Sequence, residues 1–346
     1  MSAPDRLAQA FEAQAIACDA LGSPFMGRLM RLLDGAIPAG PLRERIASWP
    51  GDVSNRGDSV PLRLAGGLHA LVRAGDPLAA AYPPHEADDE TLRAVLRDAM
   101  DRNSDALLGA LDGPPQTNEI RRAACLIAAA HLLTGRHRLP LVLSELGASA
   151  GLNLLFDRFA LETPDGPRGP SDPILTLAPE WRGAAVPPDA RPVIRSRAGV
   201  DRAPIDVRDP AQRTRLLSYL WPDQPFRLEM TRTVIEAGPP PLDRGEAVDW
   251  LGRRLAVPHP GALHLVYHTV FRQYLSAEAR RRMEGLLADA GRMASPAAPL
   301  AHLAMEEEDG PEKGAVITLT TWPGGRTETL GRLCFHGRWI DWRAAA

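Results

Sequence analysis

Apolar positions along this chain change their period near residue 112. Up to that point they recur at helical spacing. Leu7, Phe11, Ile16 and Leu21 fall at or near one face, Met26 to Leu33 repeats the pattern, and Pro24, Pro38, Pro41 and Pro50 punctuate it. Gly66 to Val72 and Glu90 to Leu111 predict two further helices, separated by a loop at Tyr82-Pro83-Pro84. Residues 1–112 are therefore expected to be all-helical and to serve as a cap or substrate-side wall.

Beyond Gly113-Pro114-Pro115 helical and strand-like runs alternate. The stretch QTNEIRRAACLIAAAHLLTG (116–135) predicts a helix capped by Thr117 or Asn118 and ended by Gly135. Leu139 to Phe156, LPLVLSELGASAGLNLLF, predicts a buried strand, a tight turn and a short helix. Residues 163–191, rich in Pro, Gly and Asp, are an inserted excursion with a small hairpin around Ile174–Leu177 and Trp181. A strand from Pro192 to about Asp201 follows, then a helical region Gln212–Ala237 broken at Trp221-Pro222-Asp223. PLDRGEAVDWLGRRL is a further strand, turn and helix. Ala262–His268 and Leu300–Met305 read as strands on either side of an Ala277–Ala290 helix. Ala315–Trp322 and Leu330–Trp339 alternate in period two around Pro323-Gly324-Gly325, as an antiparallel hairpin. The expected fold of residues 113–346 is thus α/β, with five parallel strands joined by crossover helices and then an antiparallel hairpin.

Composition narrows the function. Hydrophobic residues make up 45% of 346, ample for a core, and the net charge of −3 argues against a nucleic-acid-coating protein. Lys313 is the only lysine, so arginine runs such as Arg280-Arg281-Arg282 are expected to be solvated helix faces. No apolar run approaches the ~20 residues of a membrane span, and the first residues lack a secretion core. A cytoplasmic protein with a small-molecule substrate and no membrane partner is expected; oligomeric state is not set. Cys18, Cys125 and Cys334 are too dispersed for a disulfide framework or a zinc knuckle. His264 and His268, four apart, share only a strand face, so no metal site is expected.

The turn at 147–151 holds the candidate chemistry. Gly147, Ser149 and Gly151 alternate with Ala148 and Ala150, which lets the backbone bend or approach a ligand closely. A dinucleotide fingerprint would need its third glycine at Leu152, so NAD is excluded. Gly147-Ala-Ser149-Ala-Gly151 also fits the G-x-S-x-G elbow of α/β-hydrolases, with Ser149 as nucleophile and Asp309 and His336 as available partners, although that elbow normally follows several strands. Taken with Glu145 as E-x-G-x-S-x-G, the turn resembles the first motif of class I S-adenosylmethionine-dependent methyltransferases. The order of elements resembles their Rossmann-like fold, a seven-element sheet whose last strand runs antiparallel. The departure is the absence of room for a helix between Glu306 and Lys313.

QTNE (116–119), ELGASAGLNLLFDRF (145–159), GVDRAPIDV (199–207), WPDQ (221–224), YHTVFRQYL (267–275) and FHGRWIDW (335–342) resemble an uncharacterised bacterial family, domain of unknown function 2332, over nearly the full length. That family brings no activity. The methyltransferase resemblance implies S-adenosylmethionine as cofactor, with Glu145, Gly147, Ala148, Ser149 and Gly151 at its methionine end. It implies Asp201, or else Asp206, at the ribose, and Glu246 and Ala247 at the adenine. His268 stands where a base meets the acceptor, with Thr269 beside it, and Asn118, Asn153 and Gln273 are the further acceptor-side candidates. A non-catalytic scaffold of the same fold is the remaining alternative. The motif N/D-P-P-Y, a sign of amino-group methylation, is replaced by Tyr267-His268-Thr269-Val270.

Overall fold

A computed structural model describes residues 3–308 and 312–344. The chain divides into two compact units, Met1–Thr117 with Val207–Glu229, and Asn118–Asp206 with Met230–Ala346.

The first unit is helical. Apolar faces of Pro24–Ala36, Val60–Arg73 and Asp89–Arg102 converge on one cluster that includes Phe11, Leu29, Leu64 and Leu96, all at most 1% exposed. The predicted Glu90–Leu111 helix is two, Asp89–Arg102 and Ser104–Leu111, broken at Asn103. WPDQ contributes a cap here. The Asp223 carboxylate accepts from Ser23 Oγ at 2.5 Å and from Phe25 N at 3.0 Å, closing the start of Pro24–Ala36.

The second unit is built on strands β1 Leu141–Leu146, β2 Ala160–Leu161, β3 Thr176–Leu177, β4 Glu180–Arg182, β5 Ile194–Asp201, β6 Asp243–Arg244, β7 Leu263–Thr269, β8 Leu300–Glu306, β9 Ala315–Trp322, β10 Arg326–Leu333 and β11 Trp339–Trp342. Nine of them form one sheet in the order β4-β11-β10-β9-β8-β7-β1-β5-β6. The five from β8 to β6 are mutually parallel. β1, at the centre of these five, is buried at every position, because a parallel strand is covered on both faces. On one face Leu146, Val200, Val266 and Leu300 pack with Val248, Leu251, Met283 and Leu287 of helices Ala247–Leu255 and Ala277–Met293. Glu145 and Tyr267, being one residue out of phase, point to the other face. There Phe156 meets the Tyr267 ring edge-on at 6.0 Å, and the Ala123–His137 helix packs against the 3₁₀ segment Leu152–Arg158.

Several expectations are corrected. The helix expected from Thr117 begins at Ala123 and runs past Gly135 to His137, because Asn118 spends its side chain elsewhere, as described below. Leu152–Phe159 is a 3₁₀ segment, not an α-helix. The hairpin expected around Ile174–Leu177 and Trp181 does not form: β3 pairs parallel with β2, while β4 pairs parallel with β11 at the edge of the main sheet. The hairpin partner of β9 is Arg326–Leu333 rather than Leu330–Trp339; the chain turns after Leu333 and returns as β11. The reversal of direction starts at β9, antiparallel to β8, where the period-two pattern of Ala315–Trp322 puts it.

Candidate functional site

In a parallel sheet, ligands gather outside the carboxyl ends of the strands where neighbouring connections diverge. Here that point lies between β1, whose other neighbour is β5, and β7, whose other neighbour is β8. The turn Gly147–Gly151 leaves β1 at this place, and Thr269–Arg272 leaves β7 beside it. Both turns are strained: Ser149 has φ 55° and Val270 φ 54°, the latter in a β-branched residue.

Two polar side chains shape the first turn, and a third stands just after it. Asn118 Oδ1 accepts from Ala150 N and Leu152 N, each at 3.1 Å, so it caps the turn and not its own helix. Asp201, at the end of β5, accepts from Ser149 N at 2.9 Å with one oxygen and from Ala203 N at 2.9 Å with the other. Asn153 donates from Nδ2 to Glu119 O at 3.3 Å, and its Oδ1 is buried without a partner among the described residues. Ser149 Oγ is likewise buried and unpartnered among the described residues.

Glu145 is 3% exposed, and its one hydrogen-bond donor among the described residues is Tyr267 Oη at 3.4 Å. Among the described residues no guanidinium or ammonium is paired with it. Burial pushes its carboxyl up, the Tyr267 hydrogen bond opposes this and the nearby Asp201 charge adds to it, for a net value of about 8. Glu145 is thus a buried acid held toward its neutral form.

His268 is 1% exposed, with both ring nitrogens engaged: Nδ1 donates to Glu306 Oε1 at 2.5 Å, and Nε2 lies 3.1 Å from His302 Nε2. Burial and the neighbouring His268 charge push His302 down to about 3, so His302 is neutral. Burial by itself would raise Glu306, but the bond and charge of His268 and the N–H groups of Phe271 and Arg272 carry it below the carboxylate range. Sequence reading placed Glu306 only at a strand end and did not single out Phe271, whose ring closes over Gly147. A Cβ added to Gly147 would lie 2.5 Å from Phe271 Cδ2.

The remaining candidates are more scattered. Thr269 is half-buried and its carbonyl accepts from Arg122 Nη1 at 3.4 Å. Gln273 is exposed in a one-turn 3₁₀ segment. Ala247 is buried, whereas Glu246 precedes helix Ala247–Leu255 with its side chain 66% exposed and no bond to the helix backbone. Asp206 follows Ile205, whose N–H bonds Ser149 O at 2.9 Å. His336 lies between β10 and β11 and makes no bond to Ser149 Oγ, and Asp309 lies outside the described residues. Gly151 has φ 72°, and a Cβ added there would lie 3.1 Å from Leu242 Cδ2 and 3.4 Å from Pro240 O. Ala148 is buried and its N–H bonds Val200 O. A groove of about 520 Å³ opens near the opposite end of β1, between Thr134, Arg138, Pro140 and Val193, away from all of these.

Among the described residues no group of three or more His, Cys, Asp or Glu side chains is arranged to hold a metal ion, and no helix is long and apolar enough to cross a membrane. Comparison with curated proteins and with solved structures returns no match. A family model does match, over residues 8–342, and the chain accordingly belongs to the family described as "Uncharacterized protein conserved in bacteria (DUF2332)".

Proposed function

We propose that the β1 turn binds S-adenosylmethionine and that the protein is a methyltransferase acting on a small-molecule acceptor. The observation that carries this reading is Glu145, a buried carboxyl at the end of the central strand with no cation partner among the described residues. A cationic donor group is what such a carboxyl lacks, and this cofactor brings an ammonium and a sulfonium without a pyrophosphate. Asp201 supports the same reading: it stands at the carboxyl end of the adjacent strand, and oxygens that already hold two N–H groups keep lone pairs for ribose hydroxyls. Glu246 and Ala247 follow β6, next in order, on the adenine side. The parallel strands run third, second, first, fourth, fifth across the sheet, an order shared with doubly wound nucleotide-binding folds.

His268 has no free nitrogen to act as a base, so in this reading it orients the site and methyl transfer proceeds by alignment of donor and acceptor. Calorimetry on the purified protein tests the proposal. A one-to-one complex with S-adenosylmethionine or its demethylated product is expected; the ligand's ammonium favours the ionised Glu145, whose proton leaves to solvent, and Glu145→Gln weakens binding tenfold or more as this charge-assisted bond, worth ~1.5–3 kcal/mol, is lost. Binding of neither ligand would sink the reading.

One observation favours a hydrolase, the left-handed backbone of Ser149 within G-x-S-x-G. Against it, no imidazole reaches Ser149 Oγ among the described residues. Covalent labelling of Ser149 by a fluorophosphonate would establish the hydrolase; an unlabelled protein that binds the cofactor but transfers no labelled methyl to a cell extract would be the scaffold.

A further inference from the structure

Glu306 closes β8 at 6% exposure, and its Oε1 accepts three hydrogens: from His268 Nδ1 at 2.5 Å, Phe271 N at 2.9 Å and Arg272 N at 3.1 Å. The residue just before, Val270, is held at φ 54° with its N–H on Met305 O at 2.8 Å. The Phe271 ring that follows rests on Gly147, at the first position of the β1 turn. One carboxylate therefore ties together the end of β7, the short strap after it and the ring that covers the turn.

We infer that Glu306 is the positioning residue of this site: it clamps the Val270–Arg272 strap shut with Phe271 seated on the Gly147 turn, and a ligand reaches that turn by lifting the ring. A β-branched residue stays left-handed only where its surroundings overrule its own preference. Here the surroundings are the three N–H bonds to one charged oxygen. Loss of the clamp lets Val270 return toward extended backbone, and the neighbouring ring moves off Gly147 with it. His268 acts through Glu306, since its Nδ1–H fixes the carboxylate and its Nε2 is stopped by His302. The clamp itself is independent of what binds; the part played by the ring in ligand entry rests on the cofactor reading above.

Residue-resolved amide hydrogen exchange and calorimetry with S-adenosylmethionine, on the full chain, test both parts. Glu306→Gln should speed exchange of the Phe271 and Arg272 amides at least tenfold while leaving those of helix Ala123–His137 unchanged. Glu306→Asp keeps the charge but withdraws it by one methylene, and gives the same readout if the Gln variant does not fold. Phe271→Ala, which removes what the ligand must displace, should tighten cofactor binding about tenfold, and Phe271→Leu should return it toward the native value. Unchanged exchange at both amides overturns the clamp whatever the ligand. Weaker binding by Phe271→Ala overturns the displaced ring and makes Phe271 a wall of the site. Fast exchange in the Glu306 variants with no cofactor bound by any form upholds the clamp and refutes the cofactor.

Discussion

At Glu145 the protein keeps an acid neutral through burial, and this has a signature in stability. In the unfolded chain the carboxyl ionises near its ordinary 4.5, but in the folded protein only near 8. Between those values the unfolded state alone has lost the proton, so folding stability falls as pH rises, by about 1.4 kcal/mol per pH unit at most, and levels off above pH 8. Glu145→Gln removes the titration. Urea denaturation at pH 5, 6, 7 and 8 should show the variant gaining steadily on the native protein, and parallel curves would mean that Glu145 is already ionised. Ser149 offers a second test. Its side chain has no partner among the described residues and its backbone is left-handed, so Ser149→Gly should raise stability by about 1 kcal/mol. A loss in the same denaturation experiment would show that the hydroxyl holds something that matters.

Among the elements, the β1 turn depends on a residue that local sequence assigns to another one. Thr117 and Asn118 look like caps for the helix that follows, and Asn118 does cap, but across the unit, onto the N–H groups of Ala150 and Leu152. Removing that oxygen leaves two buried donors unpaired. Asn118→Ala should therefore cost about 2–3 kcal/mol, read as a lower urea midpoint, far more than an exposed cap loses. The strap after β7 behaves similarly. YHTVFRQYL was legible as the end of a strand, but that Phe271 turns back onto Gly147 follows from Glu306, thirty-five residues later in the chain.

At the scale of the molecule, the second unit continues its sheet beyond the parallel core by β9, β10, β11 and β4. Trp342, on β11, is fully buried, as is Ile340. Trp342→Ala should destabilise this unit by about 3–5 kcal/mol, the usual cost of emptying a large core site. A thermal melt showing under 1 kcal/mol of loss would mean that β11 is dispensable to the unit.

The periodic pattern by itself determined the class: a helical first part, a parallel sheet from Leu139 onward and antiparallel strands after it, because period and burial are properties of short runs of residues. It also singled out Glu145 and the small-residue turn, since a carboxyl at the end of an apolar run and the cluster of small residues after it are local features. Tertiary structure decided the rest. Placement of β4 against β11, Asn118 on the turn, Phe271 on Gly147 and the Glu306–His268–His302 series all join residues distant in sequence. Whether a polar side chain caps its own helix or serves another element depends on which donors the folded chain brings within about 3 Å, and no local pattern records that distance.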